Sequence, residues 1–581
     1  MVLGWLLKYS SYGIDFTDEG NSLVWISNPF AYDVSVTQFG FVYHPLYRLL
    51  GGNIVALRQA NILITFGLAW SLTYVFLISL APESREKSIA LYAVSAGLAT
   101  SVFILFEPWF PTPSKNSLAL QALLITSIGL LLADKTDTHK SVSGWIIIGV
   151  GGWLAFMAKP STALALAMGV FIYLLFSRKF SIRFLLLAVV IAIVLLFASA
   201  LLIDSSIMGF VQRLQLGIES GEILDAQHTF LEILRIDRFY LGKKLTLAIL
   251  VVFALSFLAT WGVWKKKKKG LLVSLSISFA FFALTVLLAI GHIHRIAALG
   301  EFHGLLIFGV VFAAVLVGVM LGHVKALKEI TVSQWAIAGM FLVMPYIYVF
   351  GTNNNYWQFA SSAAIFWLLA GLTLLGPLRD TCLLVLPLAL AAQVVTAILL
   401  QTGFEQPYRQ PDPLRFNDTN QKIAPQQTTL LLSASYASYL DNAITVARDS
   451  GFKPMTPVID LSGQSPGILY AIGAESIGKP WLLGGYRGSL NFAKAGLART
   501  SCEKIATAWL LLEPNGPRSI STELITSLGA AFPEGYEQVG SWQTAEGAGG
   551  FAEKRIQRLY KPINQNETLR VCQALREKEA L

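Results

Sequence analysis

The chain has 581 residues, of which 54% are hydrophobic and 14% charged, and its mean hydropathy is +0.59. Soluble domains carry roughly a quarter charged residues, so this composition excludes an ordinary soluble enzyme, a disordered chain and a disulfide scaffold, the last also because there are 3 cysteines. The net charge of +9 is no nucleic-acid signature, since the basic residues are scattered between apolar runs and not gathered on one face.

Met1 to Leu7 is an apolar stub, too short to cross a bilayer and without the pattern of a signal peptide. It favours a truncated or misassigned start, or a first helix that is only partly inserted. A polar and aromatic loop, 8–58, follows. From there to residue 401 the chain repeats apolar runs long enough to span. They fall near 60–80, 88–106, 116–133, 143–158, 161–177, 184–203, 245–264, 271–290, 305–322, 334–350, 362–377 and 382–401. One set of intervening loops carries Arg85 and Lys87, Lys135 and Lys140, Arg178 to Arg183, Lys265 to Lys269, Lys325, Lys328 and Arg379; the alternate set 107–115, 291–304 and 351–361 carries Lys115 and Arg295. The positive-inside rule makes the first set cytoplasmic. Residues 8–58, 204–244 and everything after 401 are then expected outside. The segment 204–244 reads as an amphipathic helix lying on the outer leaflet.

Composition changes after Gln401. Residues 402–413 read as a Pro-rich linker, and 414–581 as a separate soluble domain. Thr428 to Ser433, Pro457 to Leu461 and Ala508 to Leu512 are expected strands, and 435–450 and 520–530 expected helices, which suggests a small α/β domain. On the outer side Cys502 and Cys572 can pair; two free thiols are equally compatible. The fold class is therefore a polytopic α-helical membrane protein of about 12 to 13 spans with a C-terminal α/β domain on the outer side. No internal repeat supports an inverted-repeat transporter.

The first outer loop is rich in candidate chemistry. Asp15, Asp18 and Glu19 place three carboxylates within five residues, and like charges resist crowding and desolvation. They serve as a general base, as metal ligands or as the first turn of a helix that starts near Gly20. His44 closes the same loop. Glu107 stands in the Pro-rich turn Phe106-Glu-Pro-Trp-Phe-Pro-Thr-Pro113 at the outer end of the next hairpin. Lys159 lies between two apolar spans at their outer turn. It either snorkels or meets an anion, since charge bias disfavours a lysine there. His292, His294 and Arg295 form a cluster suited to a phosphate, with a polar interface as the alternative. Asn353, Asn354 and Tyr356 combine amides with aromatic faces, as sugar recognition does; an Asn-rich turn that merely ends a helix is the alternative.

Asp18-Glu19, the later acidic Glu107 and the segment Gly151-Gly-Trp-Leu-Ala-Phe-Met-Ala-Lys159-Pro160 together resemble the GT-C class of membrane glycosyltransferases. The resemblance is to the group of protein O-mannosyltransferases and lipid A aminoarabinose transferases. It covers roughly residues 1–400; the missing first span is a departure, and 414–581 matches nothing specific. The resemblance implies a sugar donor on a polyprenyl phosphate and a glycan, lipid or protein acceptor. It implies catalysis at the outer face of a bacterial inner membrane, with no nucleic acid as partner. Asp18 would be the general base beside Glu19, and Lys159 would meet the phosphate. Asp15, His44, Glu107, His292, His294, Arg295, Asn353, Asn354 and Tyr356 would bind substrate. No cofactor is certain from the sequence; a divalent cation, Mg or Mn, held by Asp18 and Glu19 is left open, although no His-x-x-x-His or facial-triad spacing appears. The competing readings are a transporter or flippase for lipid-linked glycans and an O-antigen ligase or polymerase.

Overall fold

The computed structural model describes residues 1–80, 89–224, 239–265, 267–294, 298–352, 354–378, 381–423 and 428–580. Arg295 and Asn353 lie outside them, as do Arg85, Lys87, Asp225, His228, Arg235, Arg238 and Arg379. Short helices α1 (Val2–Tyr9), α2 (Asp18–Ser27) and α3 (Phe39–Leu49) precede the long ones. The long helices are α4 (Ile54–Leu80), α5 (Ile89–Ala99), α6 (Lys115–Leu132), α7 (His139–Ala158), α8 (Pro160–Phe176) and α9 (Ile182–Asp204). After α10 (Ile207–Ile223) come α11 (Lys243–Lys265), α12 (Lys268–Ala289), α13 (Phe308–Glu329), α14 (Val332–Val349), the short α15 (Tyr356–Phe359) and α16 (Ile365–Leu372), and α17 (Thr381–Glu405).

Among the described residues ten helices are long and apolar enough to cross a bilayer. α8 is a shorter apolar helix, and the segments Tyr356–Ala363 and Ile365–Leu375 form a pair bent by 72°, either a broken span or a re-entrant loop. Ten of the twelve runs expected from the sequence are thus helices of spanning length among the described residues, and the runs 161–177 and 362–377 fall on these two shorter or broken elements. The reason is physical: inside a bilayer the backbone must bond itself, and a helix does so with every residue. α9 shows what surrounds the bundle. Leu186, Val190, Val194 and Leu201 are each more than half exposed on a helix of mean hydropathy 3.2. Water would not tolerate that face, and lipid does, so the chain is a multi-pass membrane protein. α6 and α7 approach closely through small residues; a Cβ on Gly129 would stand 2.8 Å from the Gly144 carbonyl.

The C-terminal domain sits on one face of the bundle. It holds a two-stranded antiparallel sheet, β1 (Thr419–Ile423) with β2 (Thr428–Leu432). It also holds a five-stranded mixed sheet in the order β4-β3-β5-β7-β6. β3 is Pro457–Asp460, β4 Glu475–Ser476, β5 Trp509–Leu512, β6 Tyr536–Gln543 and β7 Ile556–Pro562. β3 runs parallel to β4 and β5, and β7 antiparallel to β5 and β6. α18 (Ala434–Asp449) and α19 (Pro466–Ala471) supply the strand–helix alternation expected from the sequence. In 520–530 the helix is confined to α22 (Glu523–Ser527), after α20 (Ser489–Leu497) and α21 (Cys502–Thr507), and α23 (Gln565–Ala580) ends the domain. Cys502 and Cys572 are joined in a disulfide.

The domain and the first loop are one packed unit. Residues 11–13 pair with β2: Leu431 N donates to the Ser11 carbonyl (2.8 Å) and Gly13 N to the Leu431 carbonyl (2.9 Å). Phe16 inserts its ring between Tyr436 and Tyr439, at 5.1 Å from each. Gly467 N donates to the Phe16 carbonyl at 2.8 Å, and a Cβ on Gly467 would come within 2.7 Å of Phe16 Cα. α10 also has a contact the sequence did not announce: Lys479 Nζ donates to Ser220 Oγ (3.2 Å) and Gly488 N to the Leu224 carbonyl (3.3 Å), so its C-terminal end docks on the domain.

Candidate functional site

The three first-loop carboxylates have three different environments. Asp15 is buried and folds the loop around itself. Its Oδ1 accepts from Thr17 Oγ1 (2.6 Å) and Thr17 N (3.2 Å), and its Oδ2 from Glu19 N (3.1 Å). Glu19 returns the bond, its Oε2 accepting from Asp15 N at 3.0 Å. The exchange satisfies amide groups that the start of α2 would otherwise leave unpaired. Burial, reinforced by the charge of Asp18, pushes Asp15 up to about 6.

Glu19 is expected as a catalytic partner of Asp18, and the structure commits it elsewhere. Its Oε1 accepts from Arg58 Nη2 (2.6 Å), Arg58 Nε (2.9 Å) and the Thr112 hydroxyl. Arg58 is fully buried on α4 and also donates to the carbonyls of Ser10 (2.8 Å) and Gly13 (3.0 Å). The pair fastens the loop to the bundle, because a buried charge must be paired.

Asp18 keeps an open carboxylate, its side chain 43% exposed. Both of its side-chain bonds fall on Oδ2, from the Tyr408 hydroxyl (3.1 Å) and Arg409 Nη1 (3.0 Å). These donors come from the segment 402–413, which is therefore no mere spacer: α17 continues to Glu405 and the following turn closes over Asp18. The Tyr436 hydroxyl holds the Arg409 carbonyl. Tyr408 packs on Trp109 with ring centres 5.0 Å apart, and Trp109 on Phe359 at 6.4 Å. The Trp109 Nε1 donor is shielded and has no partner among the described residues.

Glu107 pairs with His303, Oε1 to Nε2 at 2.8 Å. His303 lies in the expected histidine cluster but was not singled out there. Lys159 is buried between α7 and α8; its Nζ meets the Tyr348 carbonyl at 3.4 Å and the Tyr348 ring at 5.0 Å. No carboxylate pairs with it among the described residues. Three residues on, in the first turn of α8, the fully buried Thr162 hydroxyl has no partner among them either. A buried cation, an unpaired hydroxyl and a helix N-terminus on one turn make a cradle for an anion.

The other expected residues are dispersed. His44 Nδ1 contacts the Ile26 carbonyl (2.7 Å) and its ring meets Phe30 edge-on, so it closes the first loop. His292 ends α12, its N–H donating to the Leu287 carbonyl (2.9 Å), and its side chain is exposed. The His294 carbonyl meets Gln401 Nε2 at 3.5 Å. Asn354 N reaches the Thr352 hydroxyl at 3.5 Å, and Asn355 caps α15 by accepting from Trp357 N and Gln358 N. Tyr356 is buried in an aromatic cluster, 5.0 Å from Tyr346. Arg58, Tyr408, Arg409 and Trp109 were not foreseen. The one signal that could have found Arg58 is its charge at the head of the apolar run that the structure starts at Ile54. As for a cation, no group of three or more His, Cys, Asp and Glu is placed to hold a metal among the described residues. Glu19 is spent on Arg58 and Asp18 faces Arg409, so the residues present do not fit the Mg or Mn site the sequence left open.

No protein-family model matches the chain, and no curated protein matches it in sequence. Two solved structures of ArnT from Cupriavidus metallidurans align with it, each over 96% of this chain at a TM-score of 0.41. The apo structure is 12% identical and covered over 95% of its length; the structure bound to undecaprenyl phosphate is 13% identical and covered over 96%.

Proposed function

We propose that the chain is an integral-membrane glycosyltransferase. In this reading it moves a sugar from a polyprenyl-phosphate donor to an acceptor hydroxyl on a glycan, lipid or protein of the cell envelope. The observation that carries it is Asp18: an open carboxylate held by Tyr408 and Arg409 where bundle, first loop and domain converge. The lipid tail of such a donor belongs in the bilayer, which accounts for chemistry housed in a polytopic protein. The face that bears the domain is the periplasmic face of a bacterial inner membrane, as the basic loops on the opposite side suggest.

The reaction follows from the groups available. Asp18 takes the proton of the acceptor hydroxyl as that oxygen attacks the anomeric carbon. The bond from the anomeric carbon to the phosphate oxygen breaks, and the phosphate leaves with its electron pair. Attack opposite the leaving group inverts the centre, with no covalent glycosyl-enzyme. Lys159, Thr162 and the start of α8 meet the charge that develops on the phosphate. The proposed chemistry uses no metal, and chelation by EDTA is expected to leave the rate unchanged.

The test is release of lipid phosphate. The protein in lipid nanodiscs is incubated with undecaprenyl-phosphate sugars and an envelope acceptor, and undecaprenyl phosphate is read by mass spectrometry. Release that falls 10²- to 10⁴-fold in Asp18→Asn, the range for losing a general base, is the expected result. Translocation of the lipid with no release from any donor overturns the proposal in favour of a transporter.

A further inference from the structure

Arg409, the cation on Asp18, sits in a backbone conformation that an arginine does not choose. Its φ is +52°, in the left-handed region that glycine enters freely and a long side chain rarely does. Such a residue persists where its surroundings over-determine it, and these places gather at functional sites. Two donors reach the Arg409 carbonyl, the Tyr436 hydroxyl and Gln410 Nε2 at 3.3 Å. Gln410 Nε2 bonds the Ile14 carbonyl more closely, at 2.6 Å. The Tyr436 hydroxyl is therefore the main hold on the Arg409 backbone.

The domain delivers Tyr436 to this place by its fold. β2 pairs with residues 11–13, and Ser433, next after β2, caps α18 by accepting from Tyr436 N at 3.4 Å. The strand that joins the first loop thus sets Tyr436, in the first turn of α18, at the same junction. Its side chain is fully buried, with the ring 5.1 Å from that of Phe16. Tyr436 touches both segments that build the Asp18 site, the first loop through its ring and the turn after α17 through its hydroxyl. Asp18 itself is fixed by other contacts. Gly467 N bonds the Phe16 carbonyl, and a Cβ on Gly20 would collide with the Gly467 backbone, so the start of α2 is pressed against the start of α19. What the Tyr436 hydroxyl decides is where Arg409 stands. With its backbone held, Arg409 Nη1 bonds Asp18 Oδ2 at 3.0 Å and the Thr17 hydroxyl, and the guanidinium lies 4.6 Å over the Tyr408 ring. With Oδ2 so engaged, Oδ1 is the oxygen left for an acceptor. If φ of Arg409 relaxed to a negative value, its side chain would swing away from Asp18, because carbonyl and side chain turn about one Cα.

We propose that Tyr436 is a positioning residue of the transfer site: its hydroxyl holds Arg409 in the left-handed turn that sets the guanidinium on Asp18. The proposal rests on the transferase reading for the reaction it serves, though not for the geometry. It gives the C-terminal domain a part in the chemistry, since the domain sets the partner of the general base without touching the substrate.

Tyr436→Phe removes the hydroxyl and keeps the ring against Phe16. In the full chain in nanodiscs it is expected to lower kcat for lipid-phosphate release about tenfold, as Arg409→Gln does, with KM for the donor unchanged. In the Arg409→Gln background the same change is expected to cost less than about twofold, because no guanidinium remains to be placed. A second readout needs no reaction: arginines are modified with phenylglyoxal and located by peptide mass spectrometry. Arg409, its side chain 17% exposed, is expected to react severalfold faster in Tyr436→Phe. Arg555, held on Glu513 at 2.6 Å in the same domain, is expected to stay protected. Equal losses of release in both backgrounds, or Arg555 freed together with Arg409, mark a structural role and overturn the proposal. So does an Arg409 as protected in the variant as in wild type, and so does a variant that thermal melts show to be unfolded. Wild type that releases nothing from any donor, while Tyr436→Phe exposes Arg409 alone, removes the transferase and keeps the hold on Arg409.

Discussion

Two neighbouring carboxylates, Asp18 and Glu19, divide their work by partner. Glu19 answers a buried arginine, and Asp18 faces an open junction. Their substitutions should therefore fail in different ways. Glu19→Gln leaves Arg58 without its counter-charge in a site buried from solvent. A loss of about 3 kcal/mol or more is expected, read as a lowered melting temperature. Asp18→Asn, partly exposed, is expected to melt with wild type and lose transfer. Asp15 adds a pH signature. Its folded value of about 6 stands above its ordinary 3.8, so the folded form holds the proton more tightly than the unfolded. The stability this group contributes is therefore greatest below about pH 4 and declines as pH rises to 6, by about 3 kcal/mol in all. Asp15→Asn cannot ionise and escapes that decline. It is expected to gain on wild type in melting experiments between pH 4 and pH 7, and a constant difference across that range would show that Asp15 does not carry the shift.

At the scale of elements, the turn after α17 matters more than its composition suggests. Gln406 to Pro413 reads as a proline-rich spacer, yet it brings Tyr408 and Arg409 onto Asp18 from 390 and 391 residues away in sequence. Arg409→Gln should reduce lipid-phosphate release about tenfold while moving stability by about 1 kcal/mol, because an ion pair whose carboxylate is 43% exposed contributes little. The spans were legible because a bilayer demands long apolar runs, and a run can be counted in one dimension. The carboxylates of α2 were legible as a cluster. Their separate roles were not, because Arg58 and Thr112 reach Glu19 across the fold and no local pattern announces them. α10 was legible as an amphipathic helix, but its docking on the domain through Ser220 and Leu224 was not, because periodicity does not say what meets the end of a helix. The disulfide between α21 and α23 was legible only as two cysteines on the same side. It closes a loop of 70 residues, and in the chain-entropy description its removal costs about 4 kcal/mol. Cys502→Ser is expected to lower the melting temperature of the domain, and dithiothreitol to do the same to wild type but not to the variant.

For the whole molecule, orientation decides which substrates can reach Asp18. The first loop, the α7–α8 turn, the Glu107–His303 pair and the C-terminal domain all gather at one face, while Lys265 and Lys267 to Lys269 mark the other. Lysines in short loops stay cytoplasmic because they resist translocation. The proposed orientation also puts the Cys502–Cys572 disulfide in an oxidising compartment, where such bonds persist. In that orientation a nucleotide sugar would be on the wrong side, and a lipid-linked sugar on the right one. Cysteine labelling in intact cells tests this directly. With Cys382, the free cysteine, changed to alanine, Ser541→Cys on the exposed edge of β6 and Lys268→Cys at the start of α12 each provide one reporter. An impermeant maleimide should label the Ser541→Cys protein in spheroplasts and the Lys268→Cys protein only after lysis. The reverse pattern would place Asp18 in the cytoplasm, where water-soluble nucleotide sugars are at hand, and the requirement for a lipid-linked donor would disappear with it.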